Sequence, residues 1–449
     1  MNGRDYALIL LDEKRLPGWK PGLLHARRWQ PPEDSRDRGL GEQIAAGVVK
    51  NLLLLRDRME HYSGKSAASV DPLVQKILAI GLYQMKFLDR IPASAAVDSA
   101  VEQAKNFGRR KAAGFVNAVL RNVARMPEPP MPDEIADPVA FAQRVLSHPP
   151  VMFEKLAKLL GAERAMAFCR HDNSDPPIVL RMFQGIEPAD LILEWEQLRS
   201  QYGDLPDVEL WLHESAGLLV VRGVRGGRIL GHWAKMGLTQ VQDATAAGVV
   251  EKMRISPGMR VLDRCAGLGT KTMQIWERAG ISGEVIAMDA SEFRCEKLGE
   301  LVAERGIGNV RVVHAEKMSD VADQIGGVFE RILVDVPCSN SGVLARRPEA
   351  RYRDQVDCLV KLQREILADT LPWLAPGGIL VYSTCSVWPE ENELQTKEFL
   401  ARNAGLELIE ECFTLPSMGE SLPEKYHDGG YVAVVRKNFV SDQGDLRSG

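Results

Sequence analysis

No stretch of this 449-residue sequence approaches the roughly 18 consecutive apolar residues that a membrane-crossing helix needs. No CxxC pair occurs, and the seven cysteines, at 169, 265, 295, 338, 358, 385 and 412, are scattered and odd in number. That usage argues against a disulfide framework and against a zinc site. It fits a reducing compartment, so a cytoplasmic protein without membrane or metal is expected. Low-complexity tracts and internal repeats are also lacking, which argues against fibrous and solenoid classes. The opening MNGRDYALILLDEKRLPGWK has charges on both sides of a very short apolar stretch and reads poorly as a signal peptide. Nor is there a strong charge of one sign: the net value is −5, which alone does not point to nucleic acid.

What is present is a globular composition, 45% hydrophobic and 26% charged, on a chain long enough for two or three domains. Charge is unevenly distributed. Residues 1–130 hold 21 Lys+Arg against 14 Asp+Glu, or +7, so the remainder carries −12 of the total −5. A basic region on an acidic body fits a module for polyanions, and equally an ordinary solvated surface.

Residues 38–125 read as helical throughout. DPLVQKILAIGLYQMKFL is apolar nearly all round, as a central bundle helix is, and AAVDSAVEQAKNF and AGFVNAVLRNVARM show apolar spacings of three and four. MPEPPMPDEIADP, 126–138, is rich in proline and acid and reads as a linker. A mixed stretch follows to about 235, with strand-like PPIVLRMF and VELWLHESAGLLVV. From Gly237 strands alternate with helices: RVLDRC (260–265), EVIAMD (284–289), VRVV (310–313), RILVDV (331–336) and GILVYST (378–384). This pattern predicts a parallel, doubly wound sheet, an α/β fold whose ligands bind beyond the carboxyl ends of the strands. The expected divisions are 1–130, 139–235 and 236–440.

The strand ends therefore carry the chemistry. The first is followed by Cys265, Ala266, Gly267, Leu268, Gly269, Thr270 and Lys271. Its glycines suit close approach of a nucleotide-like ligand, or simply a tight turn. It is neither a Walker loop nor a dinucleotide fingerprint, because threonine stands at positions 270 and 272 where each needs glycine. Asp289 ends the second strand, where an acid can accept from both hydroxyls of a ribose. Glu316 follows the third and is placed to accept from an adenine amino group or to face solvent. The fourth ends in Asp335, Pro337, Cys338 and Ser339, with Arg346 and Arg347 beyond as a phosphate partner or a surface pair. The fifth ends in Thr384, Cys385 and Ser386.

A lone strand-end cysteine is more often core than catalyst. Two on successive strands, each followed by serine, favour chemistry. Two thiols beside an adenosine-type pocket suit methylation of a cytosine ring. A thiolate adds to carbon 6, carbon 5 then attacks a methyl group, and a second thiol or an acid helps the adduct break down.

At these residues the chain resembles the RNA (cytosine-5)-methyltransferases of the bacterial ribosomal RNA type. The resemblance is carried by QVQDATAAGVV, VLDRCAGLGTKT, VIAMDAS, VDVPCSNSGVLARRPEARYR, LVYSTCSVWPEENE and HDGGYVAVVRK. GLYQMKFLDRIPASAAVDSAVEQAK and GFVNAVLRNVAR are similar to that type's NusB-like RNA-binding helical domain. The resemblance implies a Rossmann-like methyltransferase domain, a small α+β middle subdomain that helps hold RNA, and S-adenosyl-L-methionine as cofactor. It implies Cys385 as nucleophile, Cys338 in product release and Asp335 at ring nitrogen 3. The loop 265–271, Asp289, Glu316 and Asp335 would hold the cofactor. The implied partner is RNA, small-subunit ribosomal RNA above transfer RNA, and a monomer is expected. The chain departs from the family's Ala-Pro-Gly-Gly-Lys-Thr loop at Leu268 and Thr270, has Glu316 where Asp is usual, and has Phe183 where Asn is usual. Those departures motivate a rival reading, an RNA-binding assembly factor with a degenerate methyltransferase domain.

Overall fold

The computed structural model describes residues 1–14, 16–24, 30–202, 208–223, 228–353, 355–419 and 422–439. The chain divides into two compact units, Met1–Asp175 with Leu344–Arg353, and Pro176–Val343 with Asp354–Gly449.

The first unit is helical: α1 (Gly3–Asp12), α2 (Ser35–Lys50), α3 (Leu52–Ser63), α4 (Pro72–Phe87), α5 (Ala93–Asn106), α6 (Ala113–Val123), α7 (Pro138–Arg144), α8 (Pro150–Leu160) and α9 (Ala162–Asn173). Asp71 caps α4 by accepting from Leu73 and Val74, and Pro72 opens it. Leu73 to Gln84 are all buried, so α4 is the central helix that its all-round apolar pattern predicts. Lys76 on α4 is fully buried, its ammonium 2.5 Å from the Asp12 carboxylate and 2.8 Å from the Lys20 carbonyl. A buried cation persists only with such partners.

Residues 126–137 carry no helix or strand. They do not separate the units, because α7 to α9 group with the preceding helices. Arg144 pairs with Asp57 at 2.7 Å, and the Leu53 amide donates to Ser147 Oγ. The expected middle segment 139–235 is thus divided at 175/176, and its residues 203–207 and 224–227 lie outside the described ones. The segment 344–353 belongs to the helical unit by virtue of two side chains. Arg351 donates to the Asp172 carbonyl and Asn173 Oδ1, and the Tyr352 hydroxyl donates to the carbonyls of Val49 and Ser147.

Among the described residues the second unit holds two sheets. The smaller is antiparallel, in the order β2-β3-β1-β4, with β1 (Ile178–Met182), β2 (Glu209–Leu212), β3 (Leu218–Arg222) and β4 (Thr239–Val241). It is accompanied by α10 (Pro188–Tyr202) and α11 (Arg228–Lys235), whose Trp233 is fully buried and donates its indole N–H to Glu194.

The larger sheet has β5 (Arg260–Asp263), β6 (Glu284–Asp289), β7 (Val310–His314), β8 (Phe329–Asp335), β9 (Leu374–Thr384), β10 (Leu406–Thr414) and β11 (Gly430–Lys437) in the order β10-β11-β9-β8-β5-β6-β7. β5 to β9 pair in parallel, as their apolar runs predict. The intervening helices are α12 (Ala244–Lys252), α13 (Thr270–Ala279), α14 (Glu292–Glu304), α15 (Ala322–Ile325), α16 (Val356–Thr370) and α17 (Glu393–Arg402). β9 starts at Leu374, earlier than the expected 378, because a register shift pairs Phe329 with Leu374 and then Arg331 with Ile379. β10 and β11, not among the expected strands, extend the sheet antiparallel from β9.

The chain runs from β5 outward to β6 and β7, then returns to β8 on the other side of β5. That reversal opens a crevice beyond the ends of β5 and β8, the position where doubly wound sheets bind ligands. Among the described residues no helix is long and apolar enough to cross a membrane.

Candidate active site

The crevice begins at the loop after β5. The Ala266 amide donates to the Met288 carbonyl, and the Gly267 amide donates to Asp289 Oδ2 at 2.9 Å. Asp289 Oδ1 accepts from the Ser291 amide at 2.9 Å. The acid at the end of β6 therefore fixes the glycine loop, and each of its oxygens keeps a lone pair for a further donor. Gly267 has φ +58 with open space where a Cβ would stand, so the loop backbone is free to approach a ligand. Gly269 has φ +89, and a Cβ there would sit 2.3 Å from Leu298 Cδ1. Thr270 starts α13 without a positive φ, so threonine at this departure from the family loop costs no backbone strain. Leu268 is exposed.

Two side chains of α13 face inward from this loop. Thr272 donates to Asp263 Oδ2 at 2.7 Å, while Asp263 Oδ1 is buried with no hydrogen-bond partner among the described residues. Burial, more than any neighbouring charge, pushes the Asp263 carboxyl up to about 7. Lys271 places its ammonium 2.6 Å from Asp335 Oδ2, and Ser383 donates to Asp335 Oδ1 at 2.6 Å. Burial alone would lower the lysine's pKa. The Asp335 charge and hydrogen bond, with smaller help from Cys385, outweigh it and leave the net shift upward. Lys271 is thus held as an ammonium against Asp335.

The two thiols meet beside this pair. In β8 and β9, Asp335 pairs with Ser383, so the turns after both strands open at the same level. Cys338 Sγ lies 3.1 Å from Cys385 Sγ, and Cys385 Sγ lies 3.3 Å from Asn340 Oδ1. The thiols are not equivalent. Cys338 is buried and Cys385 is partly open. The hydrogen bond with Cys385, and then burial, raise the Cys338 thiol well above its ordinary range, so Cys338 keeps its proton. That leaves Cys338 as a donor to a neighbouring sulfur and Cys385 as the more accessible sulfur. Cys265 differs again: burial pushes its thiol up to about 12, which suits packing at the end of β5.

Other residues singled out in the sequence make no contact with the two thiols or the Lys271–Asp335 pair among the bonds described above. Glu316 is exposed after β7, and its carbonyl accepts from the buried Arg264. Phe183 is core, its ring 5.0 Å from the guanidinium of Arg181 and 4.3 Å from that of Arg305. Arg346 and Arg347 belong to the helical unit, in the segment seated by Arg351 and Tyr352. Within the helical unit, Arg109 pairs with both oxygens of Asp71 at 3.0 Å, while Arg110 and Lys111 are exposed.

Two residues that sequence reasoning passed over stand against the thiols. Asn340, at φ +59, donates from Nδ2 to the Cys338 carbonyl and approaches Cys385 with Oδ1. Its only sequence signal is an asparagine where the chain must enter the left-handed region. Glu391 belongs to PEENE, which reads as the acidic start of a helix. Instead Pro389–Glu391 is a 3-10 turn, α17 begins at Glu393, and Glu391 points inward.

Residues 252–434 match the family model described as 16S rRNA methyltransferase RsmB/F, and residues 22–125 match the NusB family. A ribosomal RNA small subunit methyltransferase B from Pseudomonas putida is 32% identical over 419 residues, covering 91% of this chain and 92% of its own. A probable ribosomal RNA small subunit methyltransferase B from Bacillus subtilis is 31% identical over 423 residues, covering 91% and 89%. The crystal structure of PH0851 superposes with a TM-score of 0.73 over 90% of this chain and 91% of that one, and its 23% identity makes this a likeness of fold.

Proposed function

Because this chain belongs to the 16S rRNA methyltransferase RsmB/F family, we propose that it methylates carbon 5 of a cytosine in small-subunit ribosomal RNA through a covalent Cys385 adduct, with S-adenosyl-L-methionine as donor. The observation that carries this reading is the pair of sulfurs 3.1 Å apart beside the Lys271–Asp335 pair.

The residues of the crevice fit the cofactor: open space above Gly267, an acid at Asp289 with lone pairs to spare, and an unpartnered buried oxygen on Asp263. Gly267, Gly269 and Asp289 would hold it, with Glu316 toward the adenine side. When bound, it supplies an electrophilic methyl group. The target cytosine has to leave its stack to reach the sulfur. Cys385 adds as thiolate to carbon 6, which turns the ring into an enamine nucleophilic at carbon 5. As negative charge develops at ring nitrogen 3, a proton passes to it from the Lys271 ammonium through Asp335, and it returns by the same route when the carbon 6–sulfur bond breaks. After methyl transfer the carbon 5 proton passes to the Cys338 sulfur while the Cys338 proton passes to Cys385. The carbon 5–carbon 6 double bond re-forms and the carbon 6–sulfur bond breaks. Cys385 then loses that proton to solvent before the next cycle. A factor with a degenerate domain has no need of this arrangement, and Thr270, one of the departures that motivate that rival, sits without backbone strain.

Bisulfite sequencing of small-subunit ribosomal RNA, from cells with and without the protein, tests the reading. One cytosine should lose its protection without the protein, and regain it with the wild type but not with Cys385→Ala. An unchanged map would refute the assignment.

Asp289→Ala should weaken S-adenosylmethionine binding while leaving RNA affinity nearly unchanged. Removing each charged hydrogen bond costs on the order of 1.5–3 kcal/mol, and the Gly267 amide loses its anchor as well. Isothermal titration decides it, and equal cofactor affinity would remove Asp289 from the site. RNA affinity of the helical unit should fall steeply with salt through phosphate pairing of Arg110 and Lys111, whereas Arg109 is occupied by Asp71. Replacing both Arg110 and Lys111 by alanine should reduce the slope of log K against log salt by about 0.7–0.9 for each phosphate that is no longer neutralised. An unaltered slope would place the RNA on another face.

A further inference from the structure

Glu391 is fully buried, and its carboxylate accepts four hydrogen bonds. Oε1 takes the Ser339 amide at 2.9 Å and Gln363 Nε2 at 3.0 Å, while Oε2 takes the hydroxyls of Ser339 and Ser386, each at 2.5 Å. Ser339 directly follows Cys338, and Ser386 directly follows Cys385. One buried carboxylate therefore ties together the two turns that carry the thiols. Burying a charge is costly unless it is fully hydrogen-bonded, and an apolar side chain would fill such a site at less cost. What the carboxylate does, and a hydrocarbon would not, is fix one turn against the other.

We infer that Glu391 is a positioning residue for the release step, holding Cys338 in register with Cys385. The inference rests on the two-thiol reading above. Its direction comes from an asymmetry between the turns. The Cys385 turn has anchors of its own. Asn392 Nδ2 donates to the Ser386 carbonyl at 3.0 Å, Thr384 donates to Asn392 Oδ1 at 2.6 Å, and the Ser386 amide donates to Thr384 Oγ1 at 3.2 Å. The Cys338 turn leans on Glu391 at two points, Pro337 and Ser339. Gln363 Nε2 donates to the Pro337 carbonyl at 2.9 Å but is itself held by Glu391, and Ser339 donates to Glu391 from its amide and from its hydroxyl, which also lies 3.1 Å from the hydroxyls of Ser341 and Ser386. Beyond Ser339 the chain enters the left-handed conformation of Asn340. Loss of Glu391 consequently frees Cys338 more than Cys385, so attack survives and breakdown fails.

The test is the lifetime of the covalent protein–RNA adduct. Full-length protein is mixed with small-subunit ribosomal RNA and S-adenosylmethionine and sampled over time on denaturing gels. Glu391→Ala should accumulate an S-adenosylmethionine-dependent adduct, as Cys338→Ala does, with release slowed by up to ~100-fold, the cost of a misplacement on the order of 1 Å. Glu391→Gln keeps the acceptor for the Ser339 amide and Gln363 and should recover most of the release rate. A residue that only supported the fold would lower the active fraction and leave adduct lifetime unchanged. A folded Glu391→Ala with the wild-type lifetime, or one that forms no adduct where Cys338→Ala does, overturns the inference. If Glu391→Ala does not fold, Ser339→Ala decides: a lengthened lifetime supports the inference and a wild-type one overturns it. If Cys338→Ala itself traps nothing, the two-thiol reading fails and takes this inference with it.

Discussion

Cys385→Ala will yield neither methylated RNA nor a covalent adduct, whereas Cys338→Ala will methylate its RNA and then stall as an adduct that survives denaturing electrophoresis. The contrast follows from the chemistry assigned to two sulfurs only 3.1 Å apart. Without the Cys385 sulfur nothing adds to carbon 6, so carbon 5 never becomes nucleophilic. Without Cys338 the attack remains, but the departing sulfur loses its proton donor and the carbon 5 proton loses its acceptor. The adduct should require S-adenosylmethionine to accumulate, since addition without methyl transfer reverses. The double variant should behave as Cys385→Ala. Trapped RNA in Cys385→Ala alone would exchange the two roles. Intact activity in both variants would end the thiol mechanism, because cysteines that serve only packing change stability rather than trapping.

Asp335→Ala should lower methyl transfer by about 10²–10⁴, the range over which a positioned proton partner acts. Asp335 is engaged on both oxygens, by Lys271 and by Ser383, so its removal leaves the Lys271 ammonium in a half-closed site without its counter-ion. The sign of the pH effect follows. With Asp335 present the lysine is held above its ordinary value, and the pair's contribution is lost only as pH rises through that raised value. Without Asp335 burial dominates, and Lys271 discharges at lower pH than in the wild type. Alkaline pH should therefore depress the residual single-turnover rate of Asp335→Ala earlier than that of the wild type. Asp335→Asn, which keeps an acceptor for Ser383 but no charge, should show the same trend. Cofactor affinity close to the wild type would separate this effect from collapse of the crevice. A single-turnover rate within a few-fold of the wild type would remove Asp335 from the chemistry.

Much of this protein was legible in one dimension. The parallel strands announced themselves because a strand buried on both faces is a short apolar run, and β5, β6 and β8 end close to where those runs stop at Asp263, Asp289 and Asp335. α4 was legible because a helix buried on every side needs apolar residues on every side. Both thiol turns were legible because a cysteine-serine pair directly after an apolar strand is a local pattern. Other features were not local. β10 carries charged residues and is largely exposed, so it lacks the alternation that marks a half-buried strand. The inclusion of 344–353 in the helical unit goes with Arg351 and Tyr352 finding carbonyls far away in the chain. Glu391 read as a helix-opening acid because short-range composition registers charge but not its partners. Its acceptor role exists only once the ends of β8 and β9 lie side by side and bring Ser339, 52 residues earlier, within 2.9 Å. Periodicity records which faces are buried. Which donors satisfy a buried carboxylate is decided by distances between strand ends, and folding alone sets those.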